Sequence, residues 1–443
     1  MDVEKKPPSE AISDGGETPG SEIDHEHAHV YVITPEEDAR VRRKIDMVVL
    51  PMMCLVFFTQ YLDKQSMSYA SVYGLLPDLG LSSSQSAPHN FAGFATVRCF
   101  LGFAEGAVSP AFITITSIWY RKEEHPLRVG MWVTCNGLAQ IVGALMMYGI
   151  GERSHLAIAA WRVMFLIAGG ITIFAGILFY VAMPAGPEEA WFLTAEERVI
   201  AAKRLASQHD GGDKTSFSKT QLMEAALDIR TFLVFMFGLL VTMSSPVLTF
   251  ASLVIKNLGY SSSETLLYGS PSGAVQIAFI WVGVGACWFF PNSRSLVVML
   301  LCIIPLAGCI CLTVLPESSG WDMIVASWLA SVISSQFSIL MSLSASNVRG
   351  NTKKAVVNAV FFVGYCTGCI AAPQLWKHPP RYRNGVICAL VDWGLVYVFI
   401  PWYWWLCRKE NQKRDRTQGE GMGAFVAGAD LTDKEDKSFR YTT

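Results

Sequence analysis

Long, nearly uncharged apolar runs constrain this chain more than any other feature. Ten of them, at 46–72, 92–119, 129–151, 160–183, 231–255, 271–290, 295–315, 322–345, 355–375 and 385–407, are separated by short polar loops and one long polar insert. Roughly 20 apolar residues at 1.5 Å each cross a hydrocarbon core of about 30 Å, and only a helix satisfies its own backbone there. The runs therefore predict an all-α polytopic membrane protein of about ten transmembrane helices, with the lipid bilayer as its surroundings. Charged residues are 16% of the chain, against about 25% in soluble domains, and they cluster between the runs. A net charge of −2 with no basic stripe gives no reason to expect nucleic acid as a partner.

Residues 1–39 are polar, acidic and rich in Pro, Gly and Ser, which predicts a disordered cytoplasmic tail with no signal-peptide core. His25, His27 and His29 alternate there but have no preformed cage around them, so no metal is expected. The eleven cysteines fall almost entirely inside apolar runs, Cys309/Cys311 and the CTGC of Cys366 and Cys369 included, where cysteine is a small apolar filler. No cofactor is expected. Four spans fill 40–183 and six fill 231–407. Between them, 184–230 is a cytoplasmic linker with short amphipathic helices: Thr194 heads TAEERVIAAKRL with Glu197 three residues on, a capping-box pattern, and a second helix fits 218–229. Residues 408–443 form a cytoplasmic tail. Arg40, Arg42, Arg43 and Lys44, then Arg121, Lys122 and Arg128, then Arg349, Lys353 and Lys354, then Arg408, Lys409, Lys413 and Arg414 all fall on one side if both termini are cytoplasmic. The loop KHPPRYR (377–383) is the exception.

Several stretches carry a specific likeness. RKIDMVVLPMMCLVFFTQYLDKQSMSYASV (43–72), RCFLGFAEGAVSPAFITITSIWY (98–120) and NGLAQIVGALMMYGIG (136–151) resemble the fungal allantoate permease family, anion:cation symporters of the major facilitator superfamily. PSGAVQIAFI (271–280), SNVRGNTKKAVVNAVFFVGYCTG (346–368), APQLW (372–376) and PRYRNG (380–385) extend the likeness over almost all of 40–407. The resemblance implies a two-bundle fold and proton-coupled symport of a small organic anion, such as allantoate, ureidosuccinate or a carboxylate vitamin, among which the residues do not choose; it also implies a plasma-membrane location. The family has twelve spans, six before the linker. Here LSSSQ meets SAPHNFAG directly, so some fifty residues and two helices of the first half are expected to be absent, a 4 + 6 arrangement.

Charges and amides inside the apolar runs are the candidate site, because each is costly at that depth. Arg98, followed by Gly102 and Gly106, resembles the superfamily's RxxxG motif, and its guanidinium suits a carboxylate. Glu105, about 10 Å further along the same face, is a candidate proton carrier. Asp63 and Lys64 point about 100° apart on their helix, Lys64 as an anion ligand and Asp63 as a paired or proton-coupling carboxylate. Asn136 and Gln140 share a face, and Gln276, Gln336, Asn358 and Gln374 are isolated amides, each either a substrate contact or interhelical glue. Asp392 is expected near the lumen or paired with Arg383. The glycine pairs 102/106 and 364/368 are expected to be close-packing surfaces. Absence of GxxxxGK[ST], HExxH and GxSxG argues against an ATP-driven pump or a membrane enzyme. The alternative reading is a transport-inactive short isoform, a sensor or a partner of an intact paralogue.

Overall fold

The computed structural model describes residues 33–78, 89–121, 123–153, 157–206, 217–247, 255, 259–316, 320–376, 383–418 and 430–443, and no strand occurs among them. His25, His27 and His29 lie outside the described residues. The first helix, α1 (Pro35–Val72), begins well before its apolar run because Thr34 and Glu37 form a reciprocal capping box ahead of Pro35. The Thr34 hydroxyl accepts from the Glu37 amide (3.3 Å), and the Glu37 carboxylate accepts from the Thr34 amide (3.0 Å). At 38 residues, α1 is about 57 Å long, so its first turns stand clear of a hydrocarbon core of about 30 Å.

The second apolar run is divided in two. After the short α2 (Leu75–Asp78), α3 (His89–Gly106) gives way at Ala107 to α4 (Val108–Trp119). Pro110, in the first turn of α4, has no N–H to continue a helical ladder across the break. The N-terminal bundle is completed by α5 (His125–Gly151) and α6 (Ala160–Ala182). Its core is aromatic: Phe57 meets Trp132 edge-on at 4.6 Å, and Phe112 packs beside both.

The linker holds α7 (Ala195–Ala206) and α8 (Lys219–Leu227), and α8 bends by 69° at Asp228 into α9 (Ile229–Met243). The C-terminal bundle continues with α10 (Ser262–Gly269), α11 (Pro271–Phe289), α12 (Arg294–Val314), α13 (Trp321–Ala330), α14 (Ser334–Ser346), α15 (Asn351–Ala371) and α16 (Arg383–Gln418). Among the described residues nine helices are long and apolar enough to span, or ten if the bent α8–α9 pair is one span. Every residue of α14 is buried. Its serines are small enough to let neighbours close in, and several hydroxyls are spent on the helix itself, as when Ser344 donates to the Leu340 carbonyl (2.9 Å).

The linker is shared between the bundles. The Thr194–Glu197 capping box forms (3.3 and 3.0 Å), and α7 is tied to the N-terminal bundle by ions. Arg204, almost fully buried, pairs with Asp38 (2.7 Å) and Glu124 (2.9 Å), and Lys44 pairs with Glu197 (2.8 Å). The hydrogen bond from Lys44 holds the Glu197 carboxyl below the usual glutamate range, with the Thr194 cap adding to it. By contrast α8 lies on α15, where the Gln221 side chain accepts from the amides of Thr352 (3.0 Å) and Lys353 (3.1 Å). We call this end of the molecule the linker face and the other end the far face. The C-terminal region is more ordered than a polar tail: α16 runs on to Gln418, and 430–443 fold back on the linker face of the C-terminal bundle, burying Phe439 and Tyr441.

Candidate functional site

The two bundles meet along α5 and α11. A Cβ on Gly137 would lie 2.6 Å from the Gly273 carbonyl oxygen, and one on Gly273 would lie 2.5 Å from that of Gly137, so only glycines allow this approach. Beside the crossing runs a chain of amides. The Gln140 amide donates to Ser272 Oγ (2.8 Å) and accepts from Gln276 Nε2 (2.8 Å), while Gln276 Oε1 accepts from Ser334 Oγ (2.7 Å). Tyr69 donates to the Gln140 carbonyl (2.9 Å). Nearer the far face, the Tyr73 hydroxyl meets Ser263 Oγ (3.1 Å), and Ser262 donates to the Val72 carbonyl (3.2 Å). Each of these contacts except that of Tyr69 and the one between Gln276 and Ser334 crosses from one bundle to the other.

Between the bundles is a cavity of about 330 Å3 lined by α1, α3, α4, α5, α9, α14 and α15. Lys64 reaches into it from α1 and is exposed there, in the middle of an apolar helix. Its ammonium donates to the Tyr365 hydroxyl (3.0 Å), across the two bundles, and lies 5.4 Å from the centre of that ring. No carboxylate among the described residues pairs with Lys64. Glu105 also lines the cavity, and its side chain has no hydrogen-bond partner among the described residues; its backbone carbonyl accepts from Gln60 (3.1 Å). Asn136 is buried at the wall with an Oδ1 that has no partner among the described residues.

Three of the charged and amide residues singled out in the sequence thus share the cavity: Lys64, Glu105 and Asn136. The others lie elsewhere. Arg98 is off the cavity wall, its guanidinium 3.4 Å from Met67 Sδ and 5.1 Å from the centre of the Phe165 ring. Asp63 accepts from Thr172 on α6 (2.7 Å). Gln140 and Gln276 are consumed by the amide chain, because each polar atom that could meet a substrate already has a protein partner. Gln336 donates to the Leu301 carbonyl (2.9 Å) and accepts from Ser335 (2.8 Å). Asn358 is buried away from the wall, with an unpartnered Nδ2. Gln374 is exposed near the far end of α15. Asp392 is buried without pairing to Arg383, so that expected ion pair is corrected: the two residues are nine apart on α16, more than two turns along one helix.

The glycine pairs behave differently from one another. Gly364 and Gly368 lie against α9, where a Cβ would collide with the Phe235 carbonyl oxygen and with Thr242. Gly102 and Gly106 line the cavity with nothing within 4 Å among the described residues, which corrects the expectation that they are a packing surface: no described helix lies over them. Sequence reading missed Tyr365, Thr242 and Ser334 on the wall. Isolated hydroxyls in apolar helices were the available signal, but most such hydroxyls bond their own helix, as Thr116 does to the Phe112 carbonyl (2.7 Å).

Residues 52–373 match the Major Facilitator Superfamily. An uncharacterised transporter of Schizosaccharomyces pombe is 32% identical over 93% of this chain and 90% of its own. The allantoate permease of Saccharomyces cerevisiae is 29% identical over 94% of this chain and 89% of its own. Among solved structures, the proton:xylose symporter XylE superimposes with a TM-score of 0.51 at 15% identity, covering 83% of this chain and 88% of that one, a likeness of fold. Two helical bundles around a central cavity, read with these relatives, make the chain a transporter rather than an enzyme, and it belongs to the Major Facilitator Superfamily.

Proposed function

We propose that this transporter carries a small organic anion by proton-coupled symport, through alternating access of its two bundles. The observation that carries the reading is Lys64, a cation that faces the cavity with a tyrosine hydroxyl as its partner and no ion-paired carboxylate among the described residues. A cation at membrane depth without an ion-pair partner is costly, and an anionic substrate supplies the counter-charge. The allantoate permease among the relatives supports an anion of this kind. Asn136 Oδ1 offers an acceptor on the same wall, and Glu105 is the carboxylate placed to carry the proton. Because Lys64 and Tyr365 belong to different bundles, an anion that displaces the tyrosine from the ammonium loosens one of the contacts between them. The far-face contacts of Tyr73 and Ser262, and the amide chain, would have to open for the cavity to reach that side. With positive loops on the linker face, that face and both termini are cytoplasmic, and the plasma membrane is the location we assign.

The test is uptake of a panel of labelled organic anions into vesicles containing the purified chain, with and without an imposed pH gradient. Lys64→Ala should lower anion uptake about a hundredfold at unchanged protein level, the scale of roughly 3 kcal/mol for a lost charge-assisted contact. Glu105→Gln should leave anion exchange but remove the response to the pH gradient. Uptake that is indifferent to Lys64 would remove the anion site from this cavity.

A second reading has its own observation. The alignment with the Schizosaccharomyces pombe relative spans 466 positions yet takes in 93% of a 443-residue chain, so it holds some fifty positions that the relative fills and this chain does not. With Gly102 and Gly106 uncovered, this favours a chain that lacks a helix pair and acts as a transport-inactive partner of an intact paralogue. Full proton-coupled flux by this chain alone excludes that reading; flux only after a helix pair is restored between α2 and α3 supports it.

A further inference from the structure

The C-terminal segment 430–443 is held on the linker face by contacts drawn from five places in the C-terminal bundle. Asp433 pairs with Lys353 (2.7 Å) and Arg230 (3.5 Å), and Asp436 pairs with Arg349. Arg414 on α16 donates to the carbonyls of Asp433 (2.7 Å) and Phe439 (2.7 Å). Asn347 and Thr442 exchange two hydrogen bonds (2.8 and 2.7 Å), as do Asn411 and Tyr441 (2.8 and 2.9 Å). The Arg294 amide at the start of α12 donates to the Thr443 carbonyl (2.8 Å). The pattern is that of a ligand in a built site: acidic side chains meet basic ones, and the Tyr441 ring lies under Arg230 at 4.2 Å.

Thr432 is the point where this docking is most sensitive to added charge. It is 1% exposed, and its hydroxyl accepts from the Glu435 amide (3.3 Å) while donating to the Glu224 carboxylate on α8 (2.9 Å). The Glu435 carboxylate accepts from the Thr432 amide (2.8 Å), so two carboxylates crowd one threonine. The sequence that follows, Asp433, Lys434, Glu435 and Asp436, is the acidic kind that a kinase with a basic substrate groove selects.

We propose that Thr432 is a phosphorylation site that controls whether segment 430–443 is docked. A protein kinase transfers the γ-phosphoryl group of ATP to Thr432 Oγ1: the hydroxyl gives its proton to a base of the kinase, the Oγ1–P bond forms as the bond from the γ-phosphorus to the oxygen bridging it to the β-phosphate breaks, and ADP leaves. The modified oxygen no longer has a proton to give Glu224, and a phosphate of charge about −1.5 to −2 is placed against two carboxylates. Repulsion and lost capping then favour release, which uncovers Arg230, Arg349, Lys353 and Arg414. Modification requires the segment to leave its site first, so the kinase acts on the undocked form and holds it there. The proposal rests on the cytoplasmic orientation given above, where ATP is available, but not on the anion or the proton.

The test is hydrogen exchange of the backbone amides at 439–442 in the purified full chain, before and after treatment with an acid-directed protein kinase and Mg-ATP, with phosphate located by mass spectrometry. Phosphorylation at Thr432 should speed exchange there by roughly thirtyfold. Thr432→Asn, which keeps a capping side chain but offers no hydroxyl, should stay docked and gain no phosphate at 432. Arg349→Glu, which turns the partner of Asp436 into a like charge and leaves the sequence around Thr432 intact, should undock the segment without kinase. Lack of modification at Thr432 even in Arg349→Glu overturns the proposal, and so does phosphate at Thr432 with unchanged exchange. Because exchange is read without transport, its outcome is separate from that of the uptake assay.

Discussion

Two glycine pairs of identical spacing, one in each bundle, meet opposite surroundings. Gly364 and Gly368 let α15 lie directly on the backbone of α9. Among the described residues nothing comes within 4 Å of a Cβ on Gly102 or Gly106, and Val97, Phe100 and Phe103 of the same helix are 67%, 72% and 87% exposed. A small-residue pair removes the obstacle to close approach, but a facing helix must exist for the approach to occur. All of α14 in the C-terminal bundle is buried, whereas α3 in the N-terminal bundle lines the cavity with Gly102, Glu105 and Gly106 and leaves Phe100 and Phe103 exposed.

Substitution can break this comparison, and the largest effect is expected where the packing is tightest. Gly364→Leu should cost about 3 kcal/mol, since backbone rather than a movable side chain blocks the new atoms, and a thermal melt of the detergent-purified chain reads it. Gln276→Leu should cost about 1–2 kcal/mol, because Gln140 Oε1 and Ser334 Oγ lose their partner at the junction of the bundles. A smaller effect is expected at α7. Lys44 and the Thr194 cap favour ionised Glu197 in the folded chain, so its contribution is complete above about pH 4.3, where a free glutamate titrates, and is lost as pH falls through the lower folded value. Exchange of the α7 amides should therefore rise on acidification, and Glu197→Gln should abolish that pH dependence. Gly102→Leu should lie within about 0.5 kcal/mol of the parent, with no neighbour to strike. A large loss there would mean that another helix covers this face in the membrane, and the contrast between the bundles would fail.

Much of the fold was legible beforehand because lipid leaves so few options. The apolar runs marked the spans, and the Thr194–Glu197 pattern marked the start of α7. The breaks at Ala107 and at 331–333 were not marked, since apolar content continues across them. The site was legible only in part. Lys64, Glu105 and Asn136 face the cavity, yet Gln140 and Gln276, which carry the same type of side chain as a substrate ligand, face each other. Docking of 430–443 was hidden for a related reason: its partners come from Arg230, Arg294, Asn347, Arg349, Lys353, Asn411 and Arg414, far apart along the chain.

By itself the sequence determined that this chain lies in a membrane as a set of helices, because burying unpaired backbone in hydrocarbon is prohibitive and apolar length is a local property. Only the tertiary structure decided which polar side chains are spent on one another and which are left facing a cavity. Hydrogen-bond partners 130 or more residues apart, such as Gln140 and Gln276, are chosen by the packing of helices, and no window of sequence contains both.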